Sequence, residues 1–186
     1  MIFVTEKKVK NEIKENIVEI PFGITVKIDN DNVILEKGSV KQVVPYNHVY
    51  VSIENKGSSI VLKPNSKKKP FLSVSNTLRK IVNNAIAGFT KDYVCKMQIV
   101  YSHFPMTAKV DGTRFIITNF YGEKKPRVVN IPTGVKVEIS AKDVTISGKD
   151  KQKVGQVAGN IESIARLKQK DYRVFDDGIY IVEKAK

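Results

Sequence analysis

At 186 residues the chain has room for one domain or for two small ones of about ninety residues each. It carries a net charge of +13 and a pI near 9.7, which points to polyanionic partners, nucleic acid first. A single cysteine, Cys95, excludes an internal disulfide or a cysteine-built zinc site, and no apolar run reaches the eighteen residues of a membrane span. With no signal peptide to read, the expectation is a cytoplasmic protein with no membrane partner.

The charge excess is shared between the halves. Residues 1–92 hold 15 basic and 9 acidic side chains, and residues 93–186 hold 17 and 10. Met1 to Asn16 mixes Lys and Glu, and reads equally as a mobile arm or a first strand. Ile20-Pro21-Phe22-Gly23 then opens a hairpin in which Ile24, Val26 and Ile28 alternate with polar residues and Val33 and Leu35 return. Ser39–Val44 and His48–Ile53 read as further strands, split by Pro45-Tyr46-Asn47, and Ile60–Leu62 as a short one. Lys63 to Pro70 reads as a basic loop. A helix is expected from Ser75 to Lys91, capped by Ser73 or Ser75, with Leu78, Ile81, Val82, Ala85, Ile86 and Phe89 on its buried face.

The second half opens with a strand over Tyr93–Tyr101. A hairpin is expected around Asp111-Gly112, and a basic turn at Tyr121–Pro126. Ile131 to Gly148 then repeats the first hairpin: Ile20, Pro21, Gly23, Val26, Ile28 and Val33 recur as Ile131, Pro132, Gly134, Val137, Ile139 and Val144 at one constant spacing. Such register indicates an internal duplication. A second helix is expected from Lys151 to Lys168, capped by Asp150, with Val154, Val157, Ala158, Ile161, Ile164 and Ala165 facing inward. Gly155 and Gly159 lie four apart in it, and invite close approach either by a strand beneath or by an RNA backbone. Asp176-Asp177-Gly178 reads as a turn, and Ile179–Val182 as a short extended tail. The expected fold class is α+β: two tandem similar domains, 1–92 and 93–186, each an antiparallel sheet with one long helix on one face, the second ending in a basic tail.

Catalytic material is sparse. His48 and His103 fall in different halves, Cys95 lies on an alternating strand, and Asp176 and Asp177 lack further ligands at metal spacing. Gly148-Lys149 does not complete a phosphate loop. The expectation is no enzyme, no cofactor and no metal. The positive clusters carry the signal instead: Lys67-Lys68-Lys69, Lys124-Lys125 with Arg127, Lys149-Lys151-Lys153, and Arg166-Lys168-Lys170-Arg173. Cations on loops and helix ends suit structured RNA, which is recognised through shape, phosphates and 2′-hydroxyls.

Five segments occur in order: Tyr101-Ser102-His103-Phe104-Pro105, Asn119-Phe120-Tyr121-Gly122-Glu123-Lys124, Gly148-Lys149-Asp150, Val154-Gly155-Gln156 and Asp177-Gly178-Ile179-Tyr180. Together they resemble the large-subunit ribosomal protein six family, number nine in eukaryotic cytoplasmic ribosomes, in its archaeal and eukaryotic branch. The resemblance implies two α+β domains arisen by duplication and a structural role in the large ribosomal subunit. It implies binding to large-subunit rRNA near the sarcin–ricin loop and the stalk base, beside neighbouring ribosomal proteins and the docking region of translational GTPases. It weights the second half, with Lys124, Lys125, Arg127, Lys149, Lys151, Lys153, Gly155, Gln156, Arg166, Lys168, Lys170 and Arg173 as rRNA-binding residues and Lys67, Lys68 and Lys69 behind them. Two departures stand out. Glu36-Lys37-Gly38-Ser39 replaces the family's Gly-Pro-x-Gly, and the loop at Lys67–Lys69 is shorter than its animal counterparts. The rival readings are an architectural nucleic-acid-binding protein outside the ribosome and an enzyme acting on RNA.

Overall fold

The computed structural model describes residues 16–29, 31–38, 40–167, 170–171 and 174–186. The chain divides into two compact units, one ending at Ile86 and one beginning at Ala87. Both are α+β, with all strand pairs antiparallel among the described residues.

The first unit holds β1 (Asn16–Glu19), β2 (Thr25–Ile28), β3 (Asn32–Lys37), β4 (Val40–Pro45), β5 (Val51–Asn55), β6 (Ser59–Pro64) and α1 (Lys69–Gly88). Its strands form two sheets, ordered β2-β3-β4 and β1-β6-β5. Val18, Val33, Leu35, Val44, Val51, Ile60 and Leu62 are buried, as are Leu78, Val82, Ala85 and Ile86 of α1. Residues 48–50 form a turn rather than the start of β5. Asn47 Oδ1 accepts from Val49 N at 2.9 Å, and Asn65 Nδ2 donates to the carbonyls of His48 and Val49 at 2.8 and 3.0 Å. A side-chain turn of this kind takes over the backbone groups that a strand ladder would use.

Helix α1 begins six residues before the expected Ser75 and ends at Gly88 rather than Lys91. Pro70 causes the difference. In the first helical turn a proline loses nothing, because the N–H it lacks would have no intrahelical partner there. Lys68 O accepts from Phe71 N and Leu72 N at 3.0 and 3.3 Å. The expected caps are therefore interior residues. Ser73 Oγ donates to Lys69 O at 2.9 Å, and the fully buried Ser75 Oγ accepts from Asn16 Nδ2 at 2.9 Å. The choice between arm and strand for residues 1–16 lies outside the described residues except at Asn16, where β1 begins.

The second unit holds β7 (Tyr93–Val100), β8 (Thr107–Asp111), β9 (Arg114–Thr118), a 3-10 turn (Phe120–Gly122), β10 (Arg127–Asn130), β11 (Val135–Ser140), β12 (Asp143–Gly148), α2 (Lys151–Ile164) and β13 (Gly178–Glu183). The sheets are ordered β10-β9-β8 and β11-β12-β7-β13. Val154, Val157, Ala158 and Ile161 of α2 and Ala165 beyond it join Cys95, Met97, Phe115, Ile117, Val144 and Ile146 in one core. Helix α2 stops four residues short of the expected Lys168. The expected tail is a full strand: β13 pairs with β7 from Gly178↔Val100 onward, and Ile179 is buried.

The duplication extends much further than the sequence repeat. Val26↔Leu35 and Ile28↔Val33 recur as Val137↔Ile146 and Ile139↔Val144, and Gly23 and Gly134 share φ of 90°. The first sheet recurs as well. Val18↔Ile60 corresponds to Val129↔Phe115, Ile53↔Leu62 to Ala108↔Ile117, and Val33↔Val44 to Val144↔Met97. Thus β10, β11 and β12 are the counterparts of β1, β2 and β3, while β7, β8 and β9 are those of β4, β5 and β6. The second unit keeps every pairing and its register but runs the two three-strand blocks in the opposite order. The first hairpin was visible in sequence because its Ile, Pro, Gly and Val landmarks recur at one spacing. The rest is conserved only as burial, with Ile60 and Phe115 both fully enclosed.

Candidate nucleic-acid interface

Helix α2 organises the predicted binding residues. Asp150 caps it as expected: Oδ1 accepts from Gln152 N at 2.9 Å and Lys153 N at 3.4 Å. Around this positive pole lie the exposed Lys149 and Lys153, with Lys151 Nζ 5.4 Å from the Tyr93 ring centre. The approach of strand to helix is close here. A Cβ on Gly148 would lie 2.9 Å from Gly134 O and 3.0 Å from Val154 Cγ2. Gly148→Ala is therefore expected to lower stability by about 1–3 kcal/mol through overpacking, measured by urea denaturation.

The outer face of α2 answers the question posed by its glycines. An added Cβ at Gly155 or Gly159 would meet nothing within 4 Å. No strand lies beneath them, and the expectation of a strand contact is overturned. The packed face belongs to Val154, Val157, Ala158 and Ile161. The exposed strip carries Gly155, Gln156 and Asn160, with Gln156 Nε2 donating to Asn160 Oδ1 at 2.9 Å. Gly155 is exposed and Gly159 half-buried, and a glycine at such helical positions costs about 1 kcal/mol relative to alanine.

The opposite end of α2 lies about 20 Å away, at 1.5 Å per residue. There Arg127 is already engaged. Its guanidinium donates to both carboxylate oxygens of Glu123, with Nε 2.8 Å from Oε2, and to the carbonyl oxygen of Ile164 in the last turn of the helix. It also lies 4.0 Å from the centre of the Phe120 ring. The hydrogen bond from Arg127 holds the Glu123 carboxyl below its ordinary value. Arg127 thus places a cation at the negative C-terminal pole of the helix. Lys124 and Lys125 are exposed beside it, and Arg166 is exposed just past the helix. Lys168 and Arg173 lie outside the described residues. Lys67 and Lys68 precede α1 and Lys69 is its first residue, so this first-unit cluster meets a helix end that is positive in its own right and has no acid in its first turn.

One group was not foreseen. The segments at 101–105, 119–122 and 175–177 converge on Asp177, which is 2% exposed. Its Oδ1 accepts from Ser102 N at 2.7 Å, Ser102 Oγ at 3.1 Å and His103 N at 3.3 Å, and its Oδ2 from Phe104 N at 3.4 Å. Burial alone would push its carboxyl upward. The N–H groups of Ser102 and His103, with the two side chains, outweigh burial and hold it below the usual carboxylate range. Asp176, Asp177 and His103 each bring a ligand atom within 4.8 Å of the others, but the Asp177 oxygens already serve this corner. Around it pack His103, Phe104, Tyr121 and Phe175. The sequence gives no signal for this assembly, since its hydrogen-bonded parts are up to 75 residues apart.

Comparison with known proteins agrees with the expected family. The profile of the family described as Ribosomal protein L6 matches residues 104–178. The chain is 39% identical over 170 residues to "Large ribosomal subunit protein uL6" of Methanosarcina mazei, covering 90% of this chain and 96% of that protein. It is 37% identical over 170 residues to the protein of that name from Methanococcus vannielii, and 39% over 172 residues to the one from Methanosphaera stadtmanae, in each case 90% of this chain and 92% of the relative. Likeness that runs through both units at this level has one reading: the chain belongs to the ribosomal protein L6 family.

Proposed function

We propose that the protein is a non-catalytic structural constituent of the large ribosomal subunit in the cytoplasm. It binds large-subunit rRNA through the outer face of α2 and the cations at both of its ends, near the sarcin–ricin loop and the stalk base. There it supports the docking region of translational GTPases beside neighbouring ribosomal proteins. The halves 1–92 and 93–186 are the duplicated domains, and the second makes most of the contact. Lys168 and Arg173 belong to the binding set, and Lys67, Lys68 and Lys69 contribute less. Arg127 acts chiefly by holding the end of α2 in place.

The observation that carries this reading is the glycine pair on a solvent-facing helix between two clusters of cations. A rigid helix without side chains at those points lets a sugar–phosphate backbone lie directly against it, and lysines at its ends neutralise the phosphates. No cofactor enters. Co-sedimentation with large subunits in moderate salt tests the assignment, and a protein found only in the free pool counts against it. If roughly six to ten phosphates are contacted, log affinity for rRNA should fall with log salt at a slope of about −5 to −9. A flat titration rejects the polyanion reading, and equal affinity for duplex DNA in competition favours a general architectural binder.

A further inference from the structure

We propose that Phe104, Tyr121 and Phe175 form a stacking platform for one unpaired RNA base, with Lys170 placed for its phosphate. The proposal rests on the RNA-binding reading above and adds a contact of a different chemistry. Phe104 and Tyr121 meet edge to face with centres 5.2 Å apart, and Tyr121 and Phe175 do so at 5.7 Å. His103 closes the group 5.0 Å from Phe175. Lys170 Nζ stands 5.0 Å from the Phe175 ring centre and 5.7 Å from that of Tyr121.

Two features separate this group from ordinary packing. First, Phe104 keeps 42% of its surface exposed although it meets the Tyr121 ring edge to face. Second, Tyr121 is presented on a strained backbone: Asn119 and Tyr121 have φ of 56° and 50°, in the left-handed region that disfavours side chains. The strain is held from beneath, where Phe120 is 1% exposed under the Arg127 guanidinium. Gly122 turns the chain at φ 77°, with the Phe104 ring 3.6 Å from where a Cβ on it would stand. Of the acidic groups nearby, Asp177 is buried, while Asp176 is exposed with its Oδ1 accepting from Ser102 Oγ at 2.5 Å. Glu123, next in the chain after Gly122, is held by Arg127, and the exposed Lys124 and Lys125 follow it, so aromatic faces and ammonium groups stand together on this side. That combination suits a splayed nucleotide, whose base stacks while its phosphate meets a cation. A duplex, with its bases paired and enclosed, cannot use it.

The test uses the full chain and a short unstructured RNA oligonucleotide carrying one 2-aminopurine, with a blunt RNA duplex of the same sequence as competitor. Binding should quench the 2-aminopurine, and the duplex should compete poorly. Phe104→Leu should cut affinity roughly 5- to 100-fold and abolish the quench, with the salt slope unchanged. Phe104→Tyr, which keeps a ring, should restore both, which separates lost stacking from lost folding. Lys124→Ala should instead lower the salt slope and keep the quench. If wild-type protein binds rRNA but Phe104→Leu binds and quenches as well as wild type, the platform is overturned and the patch falls to a protein neighbour. If wild-type protein binds neither the oligonucleotide nor rRNA, the RNA reading is overturned as a whole.

Discussion

Alanine at both Gly155 and Gly159 is expected to make the free protein more stable and its rRNA complex weaker. Both positions are helical, and neither added methyl group meets an atom of the protein within 4 Å. Replacing glycine by alanine in such a helix should add about 1 kcal/mol at each site, so roughly 2 kcal/mol in all by urea denaturation. If an RNA backbone lies against the strip, the same two methyl groups intrude on it. An overpacking cost of about 1–3 kcal/mol then weakens binding roughly 5- to 150-fold. Opposite signs in the two measurements identify the glycines as kept for a partner. A stabilised variant that binds rRNA as tightly as wild type would remove the central support of the proposed function.

Removing the carboxylate of Asp177 should have the largest effect on folding. Asp177→Ala leaves the backbone N–H groups of Ser102 and His103 without their acceptor at a site that is 2% exposed. Each buried donor left unpaired costs about 1–3 kcal/mol, so a loss of roughly 3–5 kcal/mol is expected. The acid dependence has a definite sign. The folded carboxyl titrates below its ordinary value of 3.8, so its contribution is complete above that pH and is lost as pH falls through the folded value. Stability measured from pH 6 down to about pH 2 should therefore decline in wild type. In Asp177→Asn the part of that decline due to this group should vanish. Hydrogen exchange should report the loss first at Gly178–Val182, because the corner pins the entry to β13. An acid profile identical in the two proteins would show that the carboxylate does not govern the corner.

What could be read from sequence divides by distance along the chain. The hairpins β2–β3 and β11–β12, the Asp150 cap and the apolar faces of both helices depend on neighbours a few residues apart, and all are present, except that Phe89 lies past the end of α1 and is half-buried. The start of α1 was missed because Pro70 interrupts a loop and opens a helix equally well, and only the backbone decides which. Strand β13 was taken for a tail because its partner β7 lies some eighty residues earlier. The basic residues of the interface could be found by type, but type does not say what they face. Arg127 proved bound to Glu123 and the end of α2, and Gly155 proved exposed while Gly159 is half-buried. The aromatic corner was present in the sequence only as separate fragments, which marked the family without revealing that they meet.

The reversed order of the strand blocks has a consequence for synthesis. In the first unit β3 is followed at once by its partner β4, and that sheet can close while the chain is still short. In the second, β7 waits for β12, about fifty residues later, and then for β13, another thirty on. A nascent chain would therefore carry its opening strand with both edges bare until β12 emerges, and with one bare until β13, a period in which such edges invite aggregation. The edge strand β1 of the first unit also waits, for β6, but in the second unit it is a central strand, paired on both sides, that must wait.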